Sequence, residues 1–551
     1  MSGFRKPELR REQMVLWSQR LEDAIPADHP VRFFNQLLHA EPFAATFRAW
    51  ERDYVLVEGQ PPYHPRDLAG LYLYGMLNRL RSSRQLEAAC WNRLDVIWLM
   101  QGQHPDHATI AGFVSRHGKR LRELFRDVLR VGLRAGLIKL EHVATDGTKV
   151  EADAGRDSVR GEKKIRAWLG HVDEKLAALE AEWTANENRE ATLFGDAACW
   201  APPRHREPRA QLAALKRQQA RLKRALAEIE RRREESARSG GTCKAIASTT
   251  DPDSRCMKDK EGRRKPNYNA QLSVDAGAAG MIVACEVNDA PEDSGQLSPM
   301  LKQVQENCGR KPQTASADSG YNTGPELAFL EQEEISGYLP DAHESGAAAA
   351  RSPADRAAAA SQAALQAVRK GQALTQAQWA ALPRDASKLL AKSAFVYDAP
   401  ADAYRCPAGH ALPLLATNRD RRGWGTAIRK RYGFTPYGRA ARPRGDVPCT
   451  ACPHAQACCR DAAKGRRIER DQYEEYRERM RARMNCAAGR AVYKRRRETV
   501  EPRIGWLKQG LGLRRFMRRG LEQAGTEWSL ACTAVNISIL LRCWEKVVAV
   551  L

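Results

Sequence analysis

The chain is 551 residues long and carries 90 Lys and Arg against 67 Asp and Glu, a net charge of +23, with 43% hydrophobic residues. That length excludes a single core and predicts roughly three or four domains, and a charge so far from zero points to a polyanionic partner, nucleic acid before an acidic membrane surface. No run of about 18 uninterrupted apolar residues occurs, so no membrane span is predicted; the last apolar stretch, Trp528 to Leu541, is broken by Asn536 and suits a core helix.

The start, MSGFRKPELRREQ, lacks the apolar segment of a secretory signal. Fourteen cysteines without an export signal predict a reducing cytoplasm, in which clustered cysteines bind metal rather than pair as disulfides. Residues 1–138 read as helical. Helical periodicity runs from Pro65 to Leu80, with Pro in the first turn where its missing N–H costs nothing. Ser82 or Ser83 caps a second helix, SRQLEAACW, and a third begins at Asp106. Ile110, Phe113, Val114 and His117 share one face and Arg116, Lys119 and Arg120 lie beside it, a pattern that fits either a helix-turn-helix reader of the major groove or a helical bundle with a solvated basic face.

From Leu140 the texture changes to strands. LEHVATDGTKVEA is followed, after an interruption, by the hairpin YNAQLSVD–AGAAG–MIVACEV. A helix from Gly295 to Cys308 leads to TASAD, and another from Pro325 to Glu334 leads to ISGYLPD. This order predicts a mixed sheet flanked by helices. The interruption, residues 156–240, carries Ile165, Leu169, Val172, Leu176, Leu179 and Trp183 at spacings of 4, 3, 4, 3 and 4, and Leu212, Leu215, Leu222, Leu226 and Ile229 on the return. An antiparallel helical hairpin is the prediction, with these stripes as its internal seam.

A second insertion, residues 342–485, opens Ala-rich and continues into a cysteine cluster: Cys449-x2-Cys452-x5-Cys458, with Cys406 upstream in CPAGH. Pairs two apart wrap a metal through a tight turn, so Cys406, Cys449, Cys452 and Cys458 are candidate ligands of a structural Zn²⁺, with His410, His454 and Cys459 in reserve; thiols packed in a core are the other reading. Between the halves lies NRDRRGWGTAIRKRYGFTPYGR, where cations interleave with Trp424, Tyr432, Phe434 and Tyr437. It reads as a stacking surface for distorted or single-stranded DNA, or as a basic hairpin with its aromatics turned to the core.

The most basic neighbourhood is Arg490 to Arg519, with eleven Lys or Arg and only two acids, Glu498 and Glu501. Either the acids neutralise that cluster, or the cations hold a polyanion while a carboxylate holds a metal beside it. The second reading needs further carboxylates. Asp146 in VATDGTKV and Asp318 in ADSGYN each read as ending a strand before a Gly-containing turn, with Glu151, Asp153, Asp275, Glu286 and Asp289 as competitors, and an ordinary turn role as the alternative. Three acids from two strands and a helix can hold two Mg²⁺ about 4 Å apart for in-line phosphoryl transfer. Pro502 predicts that the helix bearing Glu501 starts near Thr499, with Tyr493 and Arg497 in a preceding segment.

Set together, these motifs resemble the DDE transposases of bacterial insertion sequences, in the branch with a Tyr-Arg-Glu-Lys signature. PPYHPRDLAGLYLYGML, RSSRQLE and PDHATIAGF resemble its N-terminal domain; VATDGTKVEA and ADSGYN its aspartate motifs; DPDSRCM, YNAQ, YRCPAGH, RRFMRRG and TEWSLACTAVN also look familial. Arg497, Glu501 and Lys508 keep the signature spacings. Tyr493 stands four rather than three positions before Arg497, which on a helix turns the ring about 100° away; Arg496 restores the Tyr spacing but spoils the one to Glu501.

The resemblance implies an α+β multidomain protein. Its core would be a ribonuclease-H-like mixed sheet with flanking helices, divided by the hairpin and cysteine-rich insertions, with an all-helical N-terminal domain at 1–138, core segments at 139–341 and the C-terminal helices at 486–551. It implies Asp146, Asp318 and Glu501 as the metal triad, binding two Mg²⁺ (or Mn²⁺). Arg497, Lys508, Arg496 and Tyr493 would lie at DNA phosphates, and the N-terminal helices with Arg116 and Lys119 would read the terminal inverted repeats. Double-stranded DNA is the implied partner, at the element's ends and at the target, with a homodimer to pair two ends and a cytoplasmic, nucleoid-associated setting. A metal-dependent nuclease that cuts without joining, or an inactive DNA-binding descendant, are the alternatives.

Overall fold

A computed structural model of the chain describes residues 20–54, 61–194, 206–238, 243–258, 262–341, 355–385, 387–422, 425–435 and 447–551. No helix among them is long and apolar enough to cross a membrane. The chain divides into two compact units, Met1–Val131 with Thr533–Leu551, and Gly132–Cys532.

The first unit is helical. Pro65 opens the helix Pro65–Leu77, and Ser82 caps Ser83–Asn92 through a capping box with Gln85, as their sequences predict. The next helix starts at His107, where Asp106 Oδ1 accepts the Thr109 N–H at 2.6 Å, and extends to Arg134 with one non-helical residue, His117. The His117 ring takes the Trp50 Nε1–H at 3.2 Å and lies among Phe113, Trp50 and Tyr54. Two helices that the sequence reading passed over, Pro30–His39 and Phe43–Glu51, complete the packing. Their signal was present in a proline at the first turn and buried Val31, Phe34, Leu37 and Leu38 at helical spacing.

The second unit is built on a six-stranded mixed sheet. In chain order its strands are β1 (His142–Glu151), β4 (Arg255–Lys258), β5 (Arg264–Asp275), β6 (Ile282–Asn288), β7 (Thr314–Ser316) and β8 (Ser336–Tyr338); β2 (Val159–Gly161) and β3 (Ile246–Ser248) form a separate ribbon. β5 is central and antiparallel to β1 on one edge, while β4 and β6 share its other edge. β7 and β8 continue from β1 in parallel, each reached through a helix, Leu297–Cys308 and Gly324–Gln332. β5 is buried along nearly its whole length, including Asn267, Asn269, Gln271 and Ser273. That polar burial is why it does not read as an apolar run.

Between β2 and β3 the helices Glu162–Phe194 and Arg206–Arg238 pack on each other through Ile165, Val172, Leu176, Leu222, Ala225 and Ile229, the predicted seam. Part of the APPRHREP turn lies outside the described residues. The return helix is fastened to the DPDS loop by buried Arg232, whose Nη2 donates to the carbonyls of Pro252, Asp253 and Ser254 at 3.0–3.3 Å. Asp251 and Asp253 in turn accept the Gly520 and Leu521 N–H groups at the start of the helix Leu521–Arg542, so this loop ties the hairpin to the C-terminal helix.

After β8 come the helices Asp355–Arg369 and Gln376–Ala381 and two small antiparallel sheets. One is β9 (Val396–Asp398), β10 (Ala403–Arg405) and β11 (Ala411–Leu412); the other is β12 (Leu414–Arg422), β13 (Gly425–Gly433) and β14 (Arg467–Asp471). They share a core with Leu390, Phe395, Tyr404, Tyr432 and Phe434.

Candidate active site

Asp146 lies in the middle of β1, opposite Leu272 of β5. The expectation that it ends a strand before a turn is overturned, because pairing continues through Gly147 to Glu151. Gly147 answers a need for space instead. A Cβ there would stand 2.4 Å from both Asp293 Oδ1 and Gln271 Nε2, closer than side chains approach. Asp318 lies two residues beyond β7 and caps the 3-10 turn Ser319–Tyr321, its Oδ1 accepting the Gly320 N–H at 2.8 Å. Because β7 runs parallel to β1 with Ala144 opposite Ser316, each aspartate follows that pair by two residues, and the register brings them level. Burial pushes the Asp146 carboxyl up to about 6; Arg496 beside it and the Gly147 N–H pull against that rise, while the charges of Asp318 and Asp293 add to it.

The third element is the helix Ala487–Gly505, which packs on β1 and β5. The expectation of a start near Thr499 is overturned, since Pro502 sits inside one continuous helix. Proline forfeits one helical hydrogen bond, but tertiary contacts hold the backbone past it. Val500 and Arg496 are buried, and Arg503 donates to the carbonyls of Gly280 and Ala279 at 2.7 Å each. Tyr493, Arg496, Arg497 and Glu501 therefore share a helix. Arg496 Nη2 stands 2.9 Å from Asp146 Oδ2. The Tyr493 phenol is raised by burial and feels the charges of Arg496, Asp318, Arg497 and Asp146, so the pair that meets the aspartates is Tyr493 with Arg496. Arg497 and Glu501 are exposed, and the Glu501 charge reaches Arg496. Lys508 follows in a π-helical turn, Trp506–Gly510, and donates from Nζ to the Lys149 carbonyl of β1 at 2.9 Å.

The competing acids have other duties. Asp153 pairs with Arg515 and Arg519, Glu151 with Lys265, and Asp289 with Arg231. Buried Asp275 accepts the N–H groups of Lys139, Leu140 and Gly277, and Glu286 Oε2 accepts from Gln303 Nε2 at 3.4 Å. The residue that sequence reasoning missed is Asp293. Its Oδ1 accepts from Asn269 Nδ2 at 2.8 Å and Gln271 Nε2 at 2.7 Å, with Lys149 Nζ at 3.9 Å. The signal that could have found it is the acid-rich PEDSG loop after the hairpin.

Carboxylate oxygens are the donors that Mg²⁺ and Mn²⁺ prefer, and the protein's own cations, Arg496 and Lys149, already stand among Asp146, Asp318 and Asp293. In donor chemistry the residues fit a hard divalent ion. Among the described residues no group of three or more His, Cys, Asp or Glu is placed to hold a metal ion.

Cys406, Cys449, Cys452, Cys458 and Cys459 line one cavity with His410 and His454. Backbone knuckles form at both ends, with Gly409 N–H donating to Cys406 O and Cys452 N–H to Cys449 O. Burial pushes the Cys458 thiol up to about 12 and Cys459 to about 11, with neighbouring cysteines adding to both. A cavity lined by cysteine sulfurs fits Zn²⁺ in donor chemistry, with binding of the ion displacing the thiol protons.

In the basic hairpin Tyr432 and Phe434 are buried in the core, so for them the stacking expectation is overturned: their rings fill the small sheets' interior. Arg429 and Arg431 pair with Glu469, and Lys430 with Asp402. Trp424 and Tyr437 lie outside the described residues. In the helical unit Arg116 and Lys119 are exposed on the helix His107–Arg134.

Residues 405–541 match the family described as "Transposase DDE domain", and residues 19–116 match "Transposase domain (DUF772)". The first span contains the cysteines, Arg496, Arg497, Glu501 and Lys508; Asp146 and Asp318 lie outside both. No curated protein and no solved structure shows significant similarity to the chain.

Proposed function

Since the chain belongs to the insertion-sequence DDE transposases, we propose that it cleaves DNA at the ends of its element and joins the freed 3′-OH to target DNA, using Asp146, Asp318 and Glu501 at one metal-dependent site. The observation that carries this is the pair of aspartates, Asp146 on β1 and Asp318 two residues past the parallel β7, level in register, with Arg496 against Asp146. The strand order β6–β5–β1–β7–β8, in which β5 alone runs against the direction of the other four, supports a ribonuclease-H-like reading of the core.

Two Mg²⁺, when bound, would supply Lewis acidity at the attacking and leaving oxygens of each phosphoryl transfer. Asp146, from β1, and Asp318, from the turn after β7, would hold the cations, with Glu501 as the third acid, from the helix. Arg496 neutralises Asp146 until then. Arg497 and Lys508 take the phosphates flanking the scissile bond, and Tyr493 packs beside them. Arg116 and Lys119 contact the terminal repeats, and pairing two ends takes at least a dimer, acting on the nucleoid in the cytoplasm. Cys406, Cys449, Cys452 and Cys458 would hold a structural Zn²⁺.

The test uses a duplex taken from the DNA flanking the gene. With Mg²⁺ the wild type should nick it at the element boundary, and precut ends should join to a target plasmid. Asp146→Ala, Asp318→Ala and Glu501→Ala should bind the duplex without cutting. Cleavage by Asp318→Ala at the wild-type rate removes the proposal, and cutting without joining leaves a nuclease.

A further inference from the structure

We propose that Asp293 is a positioning residue that sets the geometry of both aspartates, an inference that rests on the reading of the site given above. Three observations converge on it. First, Asp293 Oδ1 lies against the backbone of Gly147, the residue after Asp146, in space that any side chain at 147 would fill. Second, it accepts from Asn269 and Gln271, two amides on the strand that pairs with β1. Third, Gln271 carries the constraint onward, since its Oε1 accepts the Tyr321 hydroxyl and Tyr321 closes the 3-10 turn that Asp318 caps.

The relay has a direction. A carboxylate only accepts, so Asp293 draws the Gln271 amide N–H₂ towards itself and leaves Oε1 for the tyrosine proton. The Gln271 backbone is held independently by the Trp528 indole, which donates to its carbonyl at 3.0 Å. A side chain fixed at both ends and buried transmits position rather than absorbing it. Asp293 thus determines where β1 sits beside Asp146 and where the turn presents Asp318, without itself being a ligand. Lys149, at 3.9 Å, balances its charge.

The test measures Mn²⁺ affinity of the full-length protein by isothermal titration, alongside unfolding midpoints and DNA binding. Asp293→Ala and Tyr321→Phe should each weaken Mn²⁺ binding by about 10–100-fold, as outer-shell changes do, with DNA binding retained. The double variant should add little, because both changes break the same relay. Asp293→Asn keeps an acceptor oxygen for Gln271 and should recover most of the affinity. Wild-type Mn²⁺ affinity in Asp293→Ala overturns the proposal; should that variant fail to fold, wild-type affinity in Tyr321→Phe overturns it equally. Absence of Mn²⁺ binding by the wild type, or undiminished binding by Asp318→Ala, sinks the underlying reading of the site instead.

Discussion

Arg496 Nη2 lies 2.9 Å from Asp146 Oδ2, with the two side chains 10% and 16% exposed. A buried guanidinium on a carboxylate proposed as a metal ligand is a competitor for it: the two cations cannot both take the same oxygen without repulsion. At pH 8, where Asp146 is ionised, Arg496→Met should therefore bind Mn²⁺ at least about tenfold more tightly than wild type while cutting DNA more slowly. Titration calorimetry and a nicking assay check the two halves. A parallel fall in both would mean that Arg496 orients Asp146 rather than competing for it.

Two buried carboxyls should give opposite acid responses. Asp146 is raised to about 6 from an ordinary value of 3.8, so the folded protein binds a proton that the unfolded chain does not. Its contribution is complete below about pH 4 and is lost as pH rises through 6, a change of about 3 kcal/mol. Asp146→Asn should gain stability relative to wild type across that window, as seen in urea midpoints.

Glu474 is 2% exposed and contacts Lys392, Arg477 and Arg481 at 2.6–2.8 Å. Burial alone would raise it, but the three cations outweigh burial and hold it at about 2 against an ordinary 4.5. Its contribution is present above pH 4.5 and is lost as pH falls towards 2. Glu474→Gln should cost about 3–5 kcal/mol at pH 7, because it strands buried cations, and the deficit should shrink in acid. A constant deficit from pH 7 to 3 contradicts the assignment.

Purified protein should contain about one zinc per chain by elemental analysis. Joint Cys449→Ser and Cys452→Ser replacement should remove it and lower the unfolding midpoint, since metal binding and folding are linked. Wild-type protein free of zinc with an unchanged midpoint would leave the cysteines as packed thiols.

Binding to element-end DNA should weaken steeply with salt through counterion release. Arg116→Ala and Lys119→Ala should each reduce the slope of log K against log salt by about 1. An unaltered slope in the double variant would remove that helix from the DNA interface.

Much of the fold was legible because it is written in local pattern. The Pro65 and Ser82 starts, the hairpin seam and the strand–helix alternation all follow from backbone chemistry that neighbouring residues determine. What escaped was tertiary. Asp-Gly at 146–147 reads as a turn, yet β5 holds it as strand and Asp293 supplies the need for glycine. Pro502 reads as a helix start, yet sheet contacts carry the helix through it, which places Tyr493 and Arg496 together on the aspartates. Asp293 itself belongs to no periodic element and acquires its meaning only from the amides of β5.

The central claim is that residues 146, 318 and 501 serve one metal site. Fe²⁺ can replace Mg²⁺ at such sites and, with ascorbate and peroxide, cuts the polypeptide where the ion is bound. In the DNA complex the account predicts Mg²⁺-suppressible cuts near all three residues. Cuts near 146 and 318 with none near 501 would contradict it.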